Sequence, residues 1–350
     1  MATLIKYNDR LSLTKSINLL QNPEPFMLKT FFSTKEFHLS NQINMVRKKN
    51  VTGLAQFVPN SAEAVTVNTE NNEQLIAVNI PRTFEKKVFT AEELQRIDLA
   101  SNPYATDKAQ LVSLSNQYVL AELAALKRRV ELRKEAMACE ALTTGKLIYT
   151  GENIAFTIDY GYTAGEQLVT LDAAHKWGAS GVKIFDSIDE LQGKLQDRAF
   201  ASASKMILGT KAASVLKNDD GILKQLDTSY NNVGKLDKTQ RYTAWGRYLG
   251  NLLGIDIYEY TQKYTRSNRT VKDLFPIDSV LLVADVDGAT KLHYGPSFRI
   301  SDSFGLNVDT SELLVEPKKN DDNTAFEWKV EQHSLPIIHA PEAVICAKVV

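Results

Sequence analysis

Histidine, cysteine, carboxylate and glycine spacing decides which chemistries a chain can perform, and here each pattern stops short of a complete site. Five histidines are available as general bases or metal ligands. His333 and His339 stand six apart across Pro336, so they cannot share a helix face as an i, i+4 zinc pair does. His38, His175 and His293 are separated in sequence from one another and from both cysteines, which predicts imidazoles at strand edges with locally satisfied hydrogen bonds. Cys139 and Cys346 lack Cys-x-x-Cys spacing and read as small apolar fillers in a reducing compartment. Asp285-Val286-Asp287-Gly288 opens like a calcium loop, but Ala289 takes the fifth position and no glycine follows, so the reading is a strand-ending turn. Phosphate cradles need glycines at fixed offsets so that backbone N–H groups can close on an anion, and neither G-x-G-x-x-G nor the P-loop pattern occurs. Gly178-Ala-Ser-Gly181 has the wrong spacing for a nucleophile elbow. The expectation is a chain with no catalytic residues, no metal ligands and no cofactor.

Composition narrows the class further. The 350 residues carry 41 Lys plus Arg against 42 Asp plus Glu, a net charge of −1, whereas nucleic-acid and membrane-surface binders usually show a basic excess. With 43% hydrophobic and 24% charged residues the chain is an ordinary globular one, long enough for one large core or several smaller ones. The longest apolar runs, such as Val280–Ala284, are far shorter than the roughly 20 residues that span a bilayer. Charge interrupts the first ten residues before an apolar signal region can form, so a soluble protein without a secretory leader is expected.

The elements that must position any function are clearer than the chemistry. Tyr104 to Thr144 contains no glycine or proline, is rich in alanine, and is closed by Gly145, which predicts a helix of about 37 residues, roughly 55 Å long, with Thr106 or Asp107 as its cap. Such a helix spans the molecule and predicts an elongated shape. Leu111, Leu114, Tyr118 and Ala121 form one stripe on it, and Leu123, Leu126, Val130 and Met137 another. Lys127, Arg128 and Arg129 lie on its flank; the first reading is a solvated face, with a subunit or phosphate contact as the lesser ones. Upstream, strands are expected at 51–58, 64–68 and 74–80, the last two joined by Thr69-Glu70-Asn71-Asn72-Glu73 as a β-hairpin that needs a partner surface. Downstream come a hairpin over 146–160, a helix over 187–202, a buried strand at 205–208, a broken helix over 210–226, and strands at 255–265, 279–284, 325–330 and 342–349. Gly246, Gly250 and Gly254 at four-residue intervals mark a close packing contact or a helix end. The terminal strands are expected to pair with the 146–162 hairpin, which makes 166–325 an inserted mixed domain.

Four segments carry a family likeness. Pro25-Phe-Met-Leu-Lys-Thr-Phe-Phe32 followed by Phe37-His-Leu-Ser40, the exit Ala141-Leu-Thr-Thr-Gly-Lys-Leu-Ile-Tyr-Thr-Gly151, the run Leu274-Phe-Pro-Ile-Asp-Ser-Val-Leu-Leu-Val283 leading to Tyr294-Gly-Pro296, and His333-Ser-Leu-Pro-Ile-Ile-His-Ala-Pro-Glu342 resemble the lambda-type major capsid protein E family. The resemblance implies an α+β Hong-Kong-97-type capsid fold: N-terminal arm 1–40, extended hairpin loop 41–97, peripheral domain with spine helix and hairpin 98–165, axial domain 166–325 and return strands 326–350. It implies a phage or prophage head protein that forms hexamers and pentamers of an icosahedral shell, encloses double-stranded DNA without sequence-specific contacts, and matures by expansion in a particle assembled in the bacterial cytoplasm. The implied partners are other copies of the chain, a separate scaffolding protein, a portal and, on the outer face, a decoration protein; no membrane is involved. The short stretch before the hairpin is too small for a fused scaffold. Implied subunit contacts are Phe26, Phe31 and Phe32 in an arm that orders on a neighbour, Thr69, Glu70, Asn71 and Asn72 at the hairpin tip, and Lys127, Arg128 and Arg129 on the spine. An encapsulin-like nanocompartment shell and, less so, a soluble hydrolase are the alternatives.

Overall fold

The computed structural model describes residues 25–48, 73–94, 96, 108–151, 154–219, 222, 234–236, 243, 245–265, 269–300, 305–320, 322 and 324–350. Its organising element is the expected spine helix, Lys108–Thr144, 37 residues long. It ends where the sequence requires: Gly145 adopts φ +65°, its N–H caps the Ala141 carbonyl at 3.0 Å, and a Cβ there would stand 2.2 Å from the Tyr162 ring. The helix serves two cores in turn. Val119, Leu123, Leu126 and Val130 pack with Phe89, Val315, Trp328 and Val330, while Met137, Ala138, Ala141 and Leu142 enter a larger cluster with Phe32, Tyr160, Leu281 and Ile337. The proposed caps Thr106 and Asp107 lie outside the described residues.

A seven-stranded sheet runs in the order Leu168–Thr170, Val344–Lys348, Ser279–Val283, Lys205–Leu208, Ile255–Tyr260, Gly246–Leu252, Gly234–Leu236. Its middle strands are covered on both faces, which is why Val280–Val283 and Met206–Leu208 are apolar throughout instead of alternating. Ile207 and Leu281 face the spine-helix core; Met206, Leu208 and Leu282 face the helix Ile184–Ala199 through Ile188, Leu191 and Leu195. That helix begins and ends three residues before its expected bounds and stops at Phe200, which takes the left-handed conformation. A second helix, Thr210–Lys217, ends just before the expected break at Asn218–Gly221, Ile222 is again helical, and residues 220–221 and 223–226 lie outside the described residues. The glycines at 246 and 250 are in a strand, not at a helix end; a Cβ on Gly246 would sit 1.9 Å from the Glu259 carbonyl across the ladder, so the close-contact reading was the apt one.

The other large sheet is built on one 14-residue strand, Ala325–Ile338. Its first half is flanked by Arg82–Thr90 on one side and Leu314–Lys319 on the other, and its second half pairs with Thr290–Tyr294, against which Lys35–Phe37 lies in parallel. This corrects the expected return pairing. The 146–151 and 154–159 strands pair with each other, not with the terminal strands, because 325–338 already has neighbours along its edges and 344–348 is enclosed by 168–170 and 279–283. Tyr160 still links the two regions by donating its hydroxyl to the Pro336 carbonyl at 2.5 Å.

The upstream hairpin is also re-registered. Glu73–Asn79 pairs with Gln42–Lys48, from Lys48 opposite Glu73 to Gln42 opposite Asn79, and Ile43, Met45, Val78 and Ile80 bury its base in the main core. The expected strands at 51–58 and 64–68, and Thr69, Glu70, Asn71 and Asn72, lie outside the described residues. Among the described residues no helix is long and apolar enough to cross a membrane.

Candidate assembly surfaces

Pro25 precedes the arm helix Phe26–Phe31 and has no side-chain oxygen to cap it. The cap comes from the spine: the Glu135 carboxylate accepts the Met27 and Leu28 N–H groups at 2.8 and 3.1 Å and the Tyr260 hydroxyl at 2.8 Å. Burial raises the Glu135 carboxyl, and these donors oppose it. Met27 and Phe32 are fully buried, Phe26 stacks on Trp245 at 4.0 Å, and Thr290 donates its hydroxyl to the Phe31 carbonyl. The expectation that Phe26, Phe31 and Phe32 order only on a neighbouring subunit is therefore corrected. Phe32 is an internal core residue, and only the partly covered Phe26 and Phe31 retain surface.

Lys127, Arg128 and Arg129 are consecutive on the helix, so their side chains point about 100° apart and do not form one flank. Lys127 is half-buried, with its ammonium lowered by desolvation, whereas Arg128 and Arg129 are exposed. Arg129 pairs with Glu85 at 3.0 Å, and Lys87 lies 3.7 Å from both Glu93 and Glu122. These contacts fasten the strand Arg82–Thr90 to the spine, as surface pairs of modest strength.

Beneath that strand is a stronger charge cluster. Glu331 is 3% exposed and accepts both Arg82 donors at 2.8 and 2.9 Å. His333 Nε2 lies 2.9 Å away, and Arg299 bridges Glu331 to Glu316. Burial alone would raise the Glu331 carboxyl; the hydrogen bonds from His333, Arg82 and Arg299 outweigh it and hold the group well below the usual carboxylate range. A carboxyl depressed on folding stabilises above its ordinary value and loses that contribution as the pH falls. Thermal midpoints should therefore drop below about pH 4.5, and Glu331→Gln, which leaves the part-buried Arg299 and buried His333 donors poorly matched at a cost of roughly 1–3 kcal/mol at pH 7, should flatten that drop. Parallel pH profiles for the two proteins would overturn this role.

The isolated histidines are not isolated in space. His38 Nε2 stands 2.7 Å from His293 Nδ1, and His293 Nε2 stands 3.2 Å from His339 Nε2. Burial, helped by His339, pushes His293 down to about 4 and keeps it neutral at neutral pH. His175 is exposed beside Asp172, and His333 belongs to the Glu331 cluster. Pairing between distant strands caused the convergence, so no local spacing could show it.

One surface went unnoticed in the sequence. Ser297–Ile300 and Leu306–Asp309 form an antiparallel ribbon in which Phe298 faces Val308 and Ile300 faces Leu306. These four side chains share one face and are 42%, 40%, 79% and 70% exposed. A contiguous exposed apolar face of this kind marks a surface made to be covered.

The model of one family, phage major capsid protein E, matches residues 9–349. The chain belongs to that family. It is a structural shell protein of the phage virion, assembling into capsids. Its fold is the Hong-Kong-97 type expected from the four segments, organised on the spine helix Lys108–Thr144. A protein assigned as a prophage capsid protein, from Escherichia coli CFT073, superposes with a TM-score of 0.66 at 16% identity, over 98% of this chain and 99% of that one. A phage-related protein of Bordetella bronchiseptica RB50 follows at 0.58 and 11% identity, over 97% of each chain. No curated protein matches the chain significantly by sequence. In this major capsid protein the arm helix capped by Glu135 and the Glu331 cluster maintain the subunit's own shape.

Proposed function

We propose that this major capsid protein closes into hexamers and pentamers of an icosahedral shell around double-stranded DNA, matures by expansion, and performs no catalysis. The observation that carries the reading is the uncovered apolar face of Phe298, Ile300, Leu306 and Val308, which contact between copies would bury. The division into arm 1–40, extended loop 41–97, peripheral domain 98–165, axial domain 166–325 and return strands 326–350 follows the same reading, except that Val344–Lys348 sits within the axial sheet and Thr290–Tyr294 and Leu314–Lys319 pair with Ala325–Ile338. So does the assignment of Thr69, Glu70, Asn71, Asn72, Lys127, Arg128, Arg129 and the outer edges of Phe26 and Phe31 to subunit contacts. A separate scaffolding protein directs assembly in the host cytoplasm, a portal is a further partner, and the outer face is open to a decoration protein. The balance of 41 basic against 42 acidic residues suits a wall that encloses DNA without trapping it through salt-dependent phosphate contacts.

The test is electron microscopy and sedimentation of the protein expressed with its scaffold. Closed shells are expected from the parent, and Ile300→Asp combined with Leu306→Asp should lower their yield about tenfold while the subunit's thermal midpoint stays unchanged, since both positions are on the surface. A parent protein that remains a monomer or dimer would overturn the reading, and unaffected shells from the double variant would remove the ribbon from the contact. Co-purified DNA supports the phage head; enzyme cargo in its place would favour a nanocompartment.

A further inference from the structure

Parallel pairing of Lys35–Phe37 with Leu292–Tyr294 sets Glu36 directly opposite His293. Side chains alternate along a strand, so His38, two residues after Glu36, returns to the face shared by Glu36 and His293. Three candidate ligands for a divalent cation therefore converge from two chain segments about 255 residues apart: Glu36 Oε2 is 3.5 Å from His293 Nδ1, and His38 Nε2 is 2.7 Å from the same nitrogen. One ligand atom from each residue can be chosen with all three within 4.8 Å of one another.

The surroundings are those of a ligating set. A coordinating imidazole usually donates its second ring N–H to a fixed partner, and a coordinating carboxylate is held by its other oxygen. His293 has His339 Nε2 3.2 Å from its Nε2, leaving Nδ1 for a metal. Glu36 receives Lys291 on Oε1 at 2.6 Å, leaving Oε2. His293 is 3% exposed, and the hydrogen bond from His339 N–H to the Ala289 carbonyl at 2.8 Å fixes the backbone that carries the supporting imidazole. Bonds of about 2.0–2.1 Å to a tetrahedral ion put ligand nitrogens about 3.3 Å apart, so His38 must withdraw by about half an ångström. It lies just past the strand and is half-buried, which leaves it room to do so. Two imidazoles and one carboxylate with an open fourth position favour zinc-class ions over magnesium or calcium.

We propose that Glu36, His38 and His293 form a zinc-class cation site, positioned by His339 and Lys291, that pins the arm strand to the return-strand sheet. No bond breaks; the ion replaces the direct His38–His293 contact and joins segments otherwise paired over only three residues. The experiment uses the full chain without a histidine tag, dialysed against zinc sulfate and then metal-free buffer, with retained metal measured by mass spectrometry and thermal midpoints recorded with zinc and with magnesium. One equivalent of zinc per chain, a midpoint raised by zinc but not magnesium, and loss of both in Glu36→Gln and His38→Ala are expected. Those two variants alter partly exposed side chains and keep the subunit folded, which His293→Ala does not guarantee. His339→Ala should weaken zinc about 10–100-fold, and His175→Ala should leave it unchanged. No retained zinc in the parent, or equal retention in Glu36→Gln and His38→Ala, would overturn the site.

Discussion

Replacing residues 49–72 with an Asn-Gly pair is expected to leave a folded subunit that cannot close a shell. Lys48 and Glu73 are direct cross-strand partners, so a two-residue turn of the type that matches the natural strand twist can join them without moving either strand. The base of the ribbon is held independently by Ile43, Met45, Val78 and Ile80, all in the main core, and should not sense the change. A cut extended to residue 80 would strip Val78 and Ile80 from that core and confuse assembly with folding. The thermal midpoint should move by no more than about 2–4 °C, equivalent to about 1 kcal/mol. In electron micrographs shells should be absent, since the removed segment includes Thr69, Glu70, Asn71 and Asn72, the proposed reach onto a neighbouring copy. Shells of normal size and number would exclude the segment from assembly.

The second large effect belongs to Glu135. Truncation by Glu135→Ala leaves the Met27 and Leu28 N–H groups and the Tyr260 hydroxyl without their carboxylate. Each buried donor left unmatched costs about 1–3 kcal/mol, and Tyr260 is spared part of this by Gln262 Oε1 at 2.9 Å. A loss of about 2–4 kcal/mol should follow, concentrated on the arm helix, because it is then held by packing of Phe26 and Phe32 and by the Thr290 hydroxyl on the Phe31 carbonyl. Trypsin should cut at Lys29 and Lys35 in the variant before it cuts the spine, and Glu135→Gln, which retains one acceptor, should fall between variant and parent. Equal protection of both lysines in parent and alanine variant would show that the carboxylate does not hold the arm.

Local signals were legible and long-range ones were not. The spine helix announced itself through a glycine-free, alanine-rich run closed by Gly145, and 205–208 and 279–283 through apolar continuity that only two-sided burial explains. Family membership was legible because packing residues recur in order along the chain, even without a catalytic signature. Pairing was harder. Nothing near Glu73–Asn79 distinguishes Gln42–Lys48 from a closer strand, because either choice satisfies alternation, and the outcome is decided by which edge Met45 and Val78 can bury. Glu135 looked like any helix carboxylate, yet it caps a helix 108 residues away. The same is true of Glu331 among its arginines and of His38, His293 and His339: their chemistry exists only after distant strands align.

The spine helix packs through Val119, Leu123, Leu126 and Val130 into the Trp328 cluster and through Met137, Ala138, Ala141 and Leu142 into the Leu281 cluster. It is thereby a lever. Over a length of about 55 Å, tilting it by about one degree displaces the far end by about 1 Å. In the proposed rings of five and six the same subunit meets slightly different curvature, and a small repacking around Met137 and Leu142 is the expected source of that difference. Geometry at the rim can thus be adjusted from the interior, where a few side chains set the angle.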